Sequence, residues 1–233
     1  MESLPENYQA LVIGASGEIG RAVAETLESD SRCGGVTRVS RRGDPGVDIT
    51  DETSVAARAD DLRSEGRNFA LIVDVTGALE IDGHGPEKSL SQLDPSVLAQ
   101  AFAVNTIGPA LLLKHFAPLL PRKNKAVFAS LSARVGSIGD NRLGGWYAYR
   151  ASKAALNQII RTAAIEIARK RRDAVCVALH PGTVRTRLSA AYAGDRPTFT
   201  PAEAAAKLLA VLDRLDHTDS GGFFAYDGTR IPW

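Results

Sequence analysis

Tyr149 and Lys153 stand four residues apart in Trp146-Tyr147-Ala148-Tyr149-Arg150-Ala151-Ser152-Lys153, so on a helix they share one face. An ammonium beside a phenol favours the phenolate and draws the tyrosine pKa from about 10 toward the working pH. A tyrosine tuned in this way is a suitable general acid for a carbonyl oxygen as a hydride arrives. Alone, Tyr-xxx-Lys is too common to mean much. Its weight comes from Gly14-Ala15-Ser16-Gly17-Glu18-Ile19-Gly20, which follows a short apolar run and opens an amphipathic stretch. Glycines at 14, 17 and 20 allow a tight turn, and backbone N–H groups at a helix N-terminus can then face a pyrophosphate. Gly14, Ser16, Gly17, Glu18, Ile19 and Gly20 are therefore expected to hold a dinucleotide.

The second apolar run ends Val39-Ser40-Arg41-Arg42, where an NAD-binding chain usually carries an acid for the adenosine ribose. Arg41 or Arg42 can pair with a 2′-phosphate and Ser40 can donate a hydrogen bond to it, which favours NADP (NADPH) over NAD. Val47-Asp48-Ile49-Thr50 falls where a third strand would pass the adenine. A carboxylate at Asp48, with Ile49 beside it, can accept the adenine amino group; capping the next helix is the alternative role for Asp48.

These groups need a frame, and the chain supplies one. It has 233 residues, enough for one large domain with its own core. Lys plus Arg is 28 against 27 Asp plus Glu, a balance that argues against nucleic-acid or polybasic membrane partners. Hydrophobic residues at 44% and charged residues at 24% suit a globular protein and not disorder. Cys33 and Cys176 cannot build a disulfide framework, and the four histidines share no metal-like spacing, so no metal is expected. The acidic start does not resemble a secretory signal, and uninterrupted apolar runs fall short of the ~18 residues of a membrane span. A cytoplasmic location is the expectation.

Short apolar runs at 10–13, 36–40, 70–75, 126–131, 174–179 and 222–226 read as strands. Amphipathic stretches at 18–29, 51–65, 95–120, 145–171 and 201–215 read as helices, with a kink at Gly108-Pro109. With the passage near Asp48, this predicts one doubly wound α/β domain over 1–233, a parallel sheet of about seven strands with helices on both faces. Segments 76–94, 132–145 and 186–200 fit neither period and are expected to wall a site beyond the strand ends. In the 186–200 segment, the expected substrate lid, Leu188, Tyr192 and Phe199 mix with Arg187 and Arg196, compatible with a partly apolar, anionic substrate.

From Leu11 to Trp233 the sequence resembles the short-chain dehydrogenase/reductase family. Residues 144–157 (Gly-Gly-Trp-Tyr-Ala-Tyr-Arg-Ala-Ser-Lys-Ala-Ala-Leu-Asn) and 223–233 resemble its C-factor-like carbonyl reductase branch. The resemblance implies that Tyr149 is the catalytic acid/base and that Lys153 bonds the nicotinamide ribose. It implies that Asn105, in Phe102-Ala103-Val104-Asn105, holds a relay water through its backbone. In His180-Pro181-Gly182-Thr183-Val184-Arg185-Thr186 it assigns Pro181, Gly182, Val184 and Thr186 to the nicotinamide side, with His180 a structural residue. Gly77 would lie beside the adenosine ribose. It further implies a carbonyl or alcohol substrate and a homodimer or homotetramer. The C-factor likeness also admits a nucleotide-binding signalling protein with little turnover.

Three departures from the family pattern stand out. Ile13 and Glu18 replace a Thr and a Gly of the first motif. Asp74-Val75-Thr76-Gly77 replaces Asn-Asn-Ala-Gly. In Ser130-Leu131-Ser132-Ala133-Arg134-Val135-Gly136-Ser137, the family's catalytic serine aligns with Ala133. Strand period 2 turns Ser132 away from Ala133, but a one-residue bulge would bring Ser132 into the site as the carbonyl-polarising donor. Ser137 is the lesser candidate.

Overall fold

The computed structural model describes residues 1–186, 192 and 198–233. The strands are β1 (Tyr8–Ile13), β2 (Cys33–Val39), β3 (Leu71–Asp74), β4 (Ala126–Leu131), β5 (Ala174–His180) and β6 (Phe223–Ala225). All pair in parallel, in the order β2-β1-β3-β4-β5-β6. Every residue of β3 and β4 is buried, as befits central strands covered on both faces. The α/β doubly wound class is as expected; the strand count is six among the described residues, not about seven. Too few residues separate Val39 from Val47 for the crossover that a further parallel strand requires. Instead Gly43 N and Val47 N both donate to Ser40 O, at 3.1 and 3.0 Å, and close a loop.

On one face lie α1 (Glu18–Glu28) and α6 (Pro201–Arg214), burying Val23, Leu27, Leu208 and Leu212 against Val12, Val127 and Val177. A capping box between Thr200 and Glu203 starts α6. On the other face lie α2 (Glu52–Ser64), α3 (Pro95–Phe102), α4 (Gly108–Phe116) and α5 (Tyr147–Ala168). Here Phe116, Leu156 and Ile160 meet Ile72, Phe128 and Cys176. Gly108 and Pro109, where a kink is expected, open α4, and the irregular turn is the π turn just before them, Ala103–Ile107, between α3 and α4. The helical run Pro95–Leu119 is long and apolar enough by composition to cross a membrane, which counting unbroken apolar runs did not reveal. Isolated polar residues such as Gln100 and Asn105 interrupt the run without making it hydrophilic, and Asn105 is turned into the protein interior.

Candidate active site

The glycine loop joins β1 to α1 at the carboxyl end of the sheet. Gly14 N and Ala15 N donate to Val39 O, and Gly17 N donates to Gly14 O at 3.0 Å. Gly14 has φ +86, open to glycine. A Cβ on Gly20 would overlap Gly14 O and stand 2.7 Å from Val75 Cγ2. Ser16, Gly17 and Glu18 are exposed and Ile19 half-buried, and Gly17 caps α1 without a side-chain bond. This is a cradle whose positions 14 and 20 require glycine, and it fits a dinucleotide pyrophosphate. Ser40 is half-buried, and Arg41 and Arg42 are exposed just past β2. Asp48 Oδ1 accepts from Thr50 N (2.9 Å) and Thr50 Oγ1 (2.7 Å), and these bonds hold its carboxyl below the usual range. Asp51, not Asp48, caps α2. Ile49 is half-buried and reaches toward Gly108, where a Cβ would come within 2.8 Å of Ile49 Cδ1.

Around the tyrosine, α5 begins at Tyr147 after Trp146, whose φ of 55 is left-handed. Glu87, from the 76–94 segment, accepts from Ala148 N through Oε2 at 3.2 Å and from Trp146 N through its backbone O at 2.5 Å. A carboxylate at a helix N-terminus suits the dipole, and it fixes the turn that carries Tyr149. Sequence reasoning missed this residue, since nothing in the spacing joins it to the helix.

Asn105 is fully buried in the π turn. Its Oδ1 accepts from Ala78 N (2.9 Å) and its Nδ2 donates to Ala78 O (2.8 Å), pinning the helix to the loop after β3. Pro109, four residues on, has no N–H, so the Asn105 carbonyl receives no i→i−4 donor there. Lys153 is buried, and its Nζ donates to Leu131 O at 2.9 Å. Gly77, at φ +148, passes so close that a Cβ would lie 3.1 Å from Lys153 Nζ and 3.2 Å from Asn105 Oδ1. The structure thus brings together Gly77, Asn105 and Lys153.

The expected depression of the tyrosine pKa is not what this geometry produces. Burial pushes the Tyr149 phenol up to about 12. Lys153 spends a hydrogen bond on Leu131 instead, and burial draws its ammonium down to about 8.

A cleft of about 600 Å³ opens over Tyr149, walled by Ile19, Ser132, Ala133, Trp146, Pro181, Gly182, Val184 and Thr186, among others. The Pro181–Thr186 stretch is held by Phe199 N donating to Thr183 O (2.9 Å) and Arg185 N to Phe199 O (2.8 Å). His180 also lines the cleft, and burial pushes its imidazole down to about 4. Of the expected lid, only Thr186, Tyr192 and 198–200 lie within the described residues; Arg187, Leu188 and Arg196 lie outside them.

No bulge interrupts the end of β4: its register with β5 runs unbroken to Leu131 opposite Leu179. Ser132 is buried and its Oγ donates to Asn157 Oδ1 at 2.6 Å. Its one proton reaches a carbonyl only by leaving Asn157, whereas half-buried Ala133 faces the cleft without a donor. Ser137 Oγ donates to Pro232 O at 2.5 Å, a tie to the tail. Ser132→Ala separates the two roles. A fall in turnover of ~10²–10³ marks a donor, and lost stability with turnover kept marks an anchor for Asn157. The geometry favours the second outcome, with Ala133→Ser raising turnover; steady-state rates and melting curves on both variants decide it.

The family model described as Enoyl-(Acyl carrier protein) reductase matches residues 15–230. The chain is 32% identical over 238 residues to the 1-hydroxy-2-glutathionyl-2-methyl-3-butene dehydrogenase of Rhodococcus sp. (strain AD45), covering 96% of this chain and 98% of that protein. The chain belongs to the short-chain dehydrogenase/reductase family. It is an oxidoreductase by that membership. A second family relative is the C-signal of Myxococcus xanthus, 34% identical over 145 residues, 62% of this chain and 84% of that protein. Among solved structures of the family, the NADPH-bound carbonyl reductase from chicken fatty liver superposes with a TM-score of 0.85. It is 27% identical and covers 99% of this chain and 95% of that one.

Proposed function

We propose that this short-chain dehydrogenase/reductase uses NADPH to reduce a small aldehyde or ketone. The observation that carries the reading is Tyr149 lining the cleft at the sheet end that also bears the glycine cradle, with Lys153 and Asn105 buried behind it. Gly14, Ser16, Gly17, Glu18, Ile19 and Gly20 would hold the pyrophosphate, and Ser40, Arg41 and Arg42 the 2′-phosphate. Asp48 and Ile49 would meet the adenine, and Gly77, Pro181, Gly182, Val184 and Thr186 the ribose and nicotinamide. When bound, the cofactor supplies a hydride. With its pKa near 12, Tyr149 stays protonated at neutral pH and gives its proton to the alkoxide, which is the stronger base. Lys153 would resupply that proton, relayed by a water that the Asn105 carbonyl would hold. The test is purified protein with NADPH and a panel of carbonyl compounds, followed by loss of NADPH absorbance. Tight NADPH binding without turnover on any of them would favour the signalling reading that the C-signal likeness supports.

Arg41 and Arg42 replace the acid that selects NAD. NADPH is expected to bind at least ~10-fold tighter than NADH, since one charge-assisted phosphate pair is worth about 1.5–3 kcal/mol. Fluorescence titration of both nucleotides measures this, and equal affinities reject it.

The α4–α5 face suggests assembly. Ala110, Leu113, Ile159 and Ala163 line a groove of about 500 Å³, and Ile165 beyond it is 51% exposed. An apolar face of this kind is suited to a two-fold partner, so a homodimer or homotetramer is expected. Sedimentation at micromolar concentration checks it; a species of monomer mass alone rejects it.

A further inference from the structure

β3 ends in an acid that the mechanism above does not use. Asp74 is 1% exposed. Its Oδ1 accepts from Thr76 N (2.9 Å) and Thr76 Oγ1 (2.6 Å), but its Oδ2 is buried with no hydrogen-bond partner. Ser130 stands opposite Asp74 in the β3–β4 ladder, fully buried, and its Oγ is likewise without a partner. Side chains opposite each other in register share a sheet face. The residue after Ser130 is Leu131, whose carbonyl holds Lys153 Nζ at 2.9 Å. From the β3 side, Gly77 approaches the same ammonium. The Asp74 carboxylate and the Lys153 ammonium thus both lie buried at the carboxyl end of the β3–β4 seam, near enough for their charges to act on one another. Burying either charge alone is costly, and each offsets the cost of the other.

We propose that Asp74 is a positioning residue of the active site, whose carboxylate is the counter-charge that keeps the Lys153 ammonium protonated. The idea rests on the assignment of Lys153 to the site. The electrostatics agree in direction: burial lowers Lys153 and Asp74 opposes that shift, while burial raises Asp74 and the Thr76 hydrogen bonds, then Lys153 and Ser130, oppose it. Few other groups facing the pair titrate. Thr76 and Ser130 of the sheet side and Asn105 of the π turn are neutral, as is Ser152 of α5. Tyr149 of α5 titrates only near 12. His180, at the end of β5, responds to Arg134 and Asp227. A purely structural role for Asp74 needs only the Thr76 turn, and an asparagine oxygen would make that turn equally well. Charge, not shape, distinguishes the two roles.

Asp74→Asn therefore isolates the charge. In cofactor-free protein labelled with ¹³Cε-lysine, the Lys153 signal, assigned by its loss in Lys153→Met, is titrated by NMR. Asp74→Asn is expected to lower its midpoint by about one pH unit or more, since loss of a close opposite charge disfavours the ammonium. The reciprocal measurement covers the case in which Asp74→Asn does not fold: in Lys153→Met, the ¹³Cγ signal of Asp74 is expected to titrate at higher pH than in the unmodified protein. If the chain turns over carbonyls, the alkaline limb of kcat/KM shifts downward with the lysine midpoint. Unmoved Lys153 and Asp74 midpoints overturn the proposal whether or not the protein is a reductase. Shifted midpoints in a protein with no turnover uphold the pair and count against the carbonyl reading alone.

Discussion

Tyr149→Phe is expected to cut carbonyl reduction by roughly 10²–10⁴-fold, the ordinary worth of a positioned general acid, and to leave NADPH affinity little changed. The substitution keeps the ring in contact with Trp146, whose centroid lies 6.2 Å away, so the cleft wall survives. It removes only the hydroxyl group, and with it the proton to be donated. Its effect should appear in kcat and kcat/KM alike, because the lost interaction belongs to the transition state. The pH profile carries a second expectation. A phenol held near 12 does not ionise between pH 6 and 9, so an alkaline fall in the unmodified protein within that window would report Lys153, with its value near 8. Above that midpoint the lysine is neutral and resupplies no proton. Steady-state rates across pH test both points, and a Tyr149→Phe protein with ordinary rates would overturn the mechanism.

The second large effect is expected at the glycine cradle. In Gly20→Ala the new methyl meets Gly14 O and Val75 Cγ2, both fixed by the sheet beneath. Neither is the free end of a flexible side chain, so the loop itself must move. Overpacking of this kind costs about 1–3 kcal/mol of stability. A displaced loop also turns its N–H groups off the pyrophosphate, so NADPH binding should weaken by more than tenfold. Gly17→Ala is the comparison. Its Cβ would have one contact, 3.4 Å from Gly14 O, and stability should hold. Thermal melts and nucleotide titrations on the pair check this; equal losses in both variants would refute the steric account.

The reading of the sequence reached the fold class, the six strands near their observed places, and the residues gathered at the sheet end. It reached them because buried parallel strands are written as apolar runs and the cradle as closely spaced glycines. Its errors have local causes. Val47 and Ile49 look like strand residues, yet the loop that carries them folds back on Ser40 and sends Ile49 toward Gly108. The tyrosine was expected to be acidified by its i+4 lysine. Sequence spacing shows that the two share a face, but not that the ammonium is bonded to Leu131 O. Ser132 was expected to gain access through a bulge, and its partner Asn157 is visible only in three dimensions. Asp74 did carry a signal, an acid ending the apolar run Leu71-Ile72-Val73, but as a departure from a family pattern it read as a loss.

The ladder order has a consequence for how the molecule is made. Among the described strands, one pair of sheet neighbours is not joined by a single crossover: β3 docks on β1, with β2 and α2 intervening in the chain. Contacts between distant segments form late, because the intervening loop must close before the pairing rewards it. Until then β3, β4 and β5, nearly free of charge, present bare edges to other nascent chains. Self-association should therefore begin from the half-assembled sheet during synthesis, and slower synthesis or chaperone capture should raise the yield of folded protein more than any change to its finished surface.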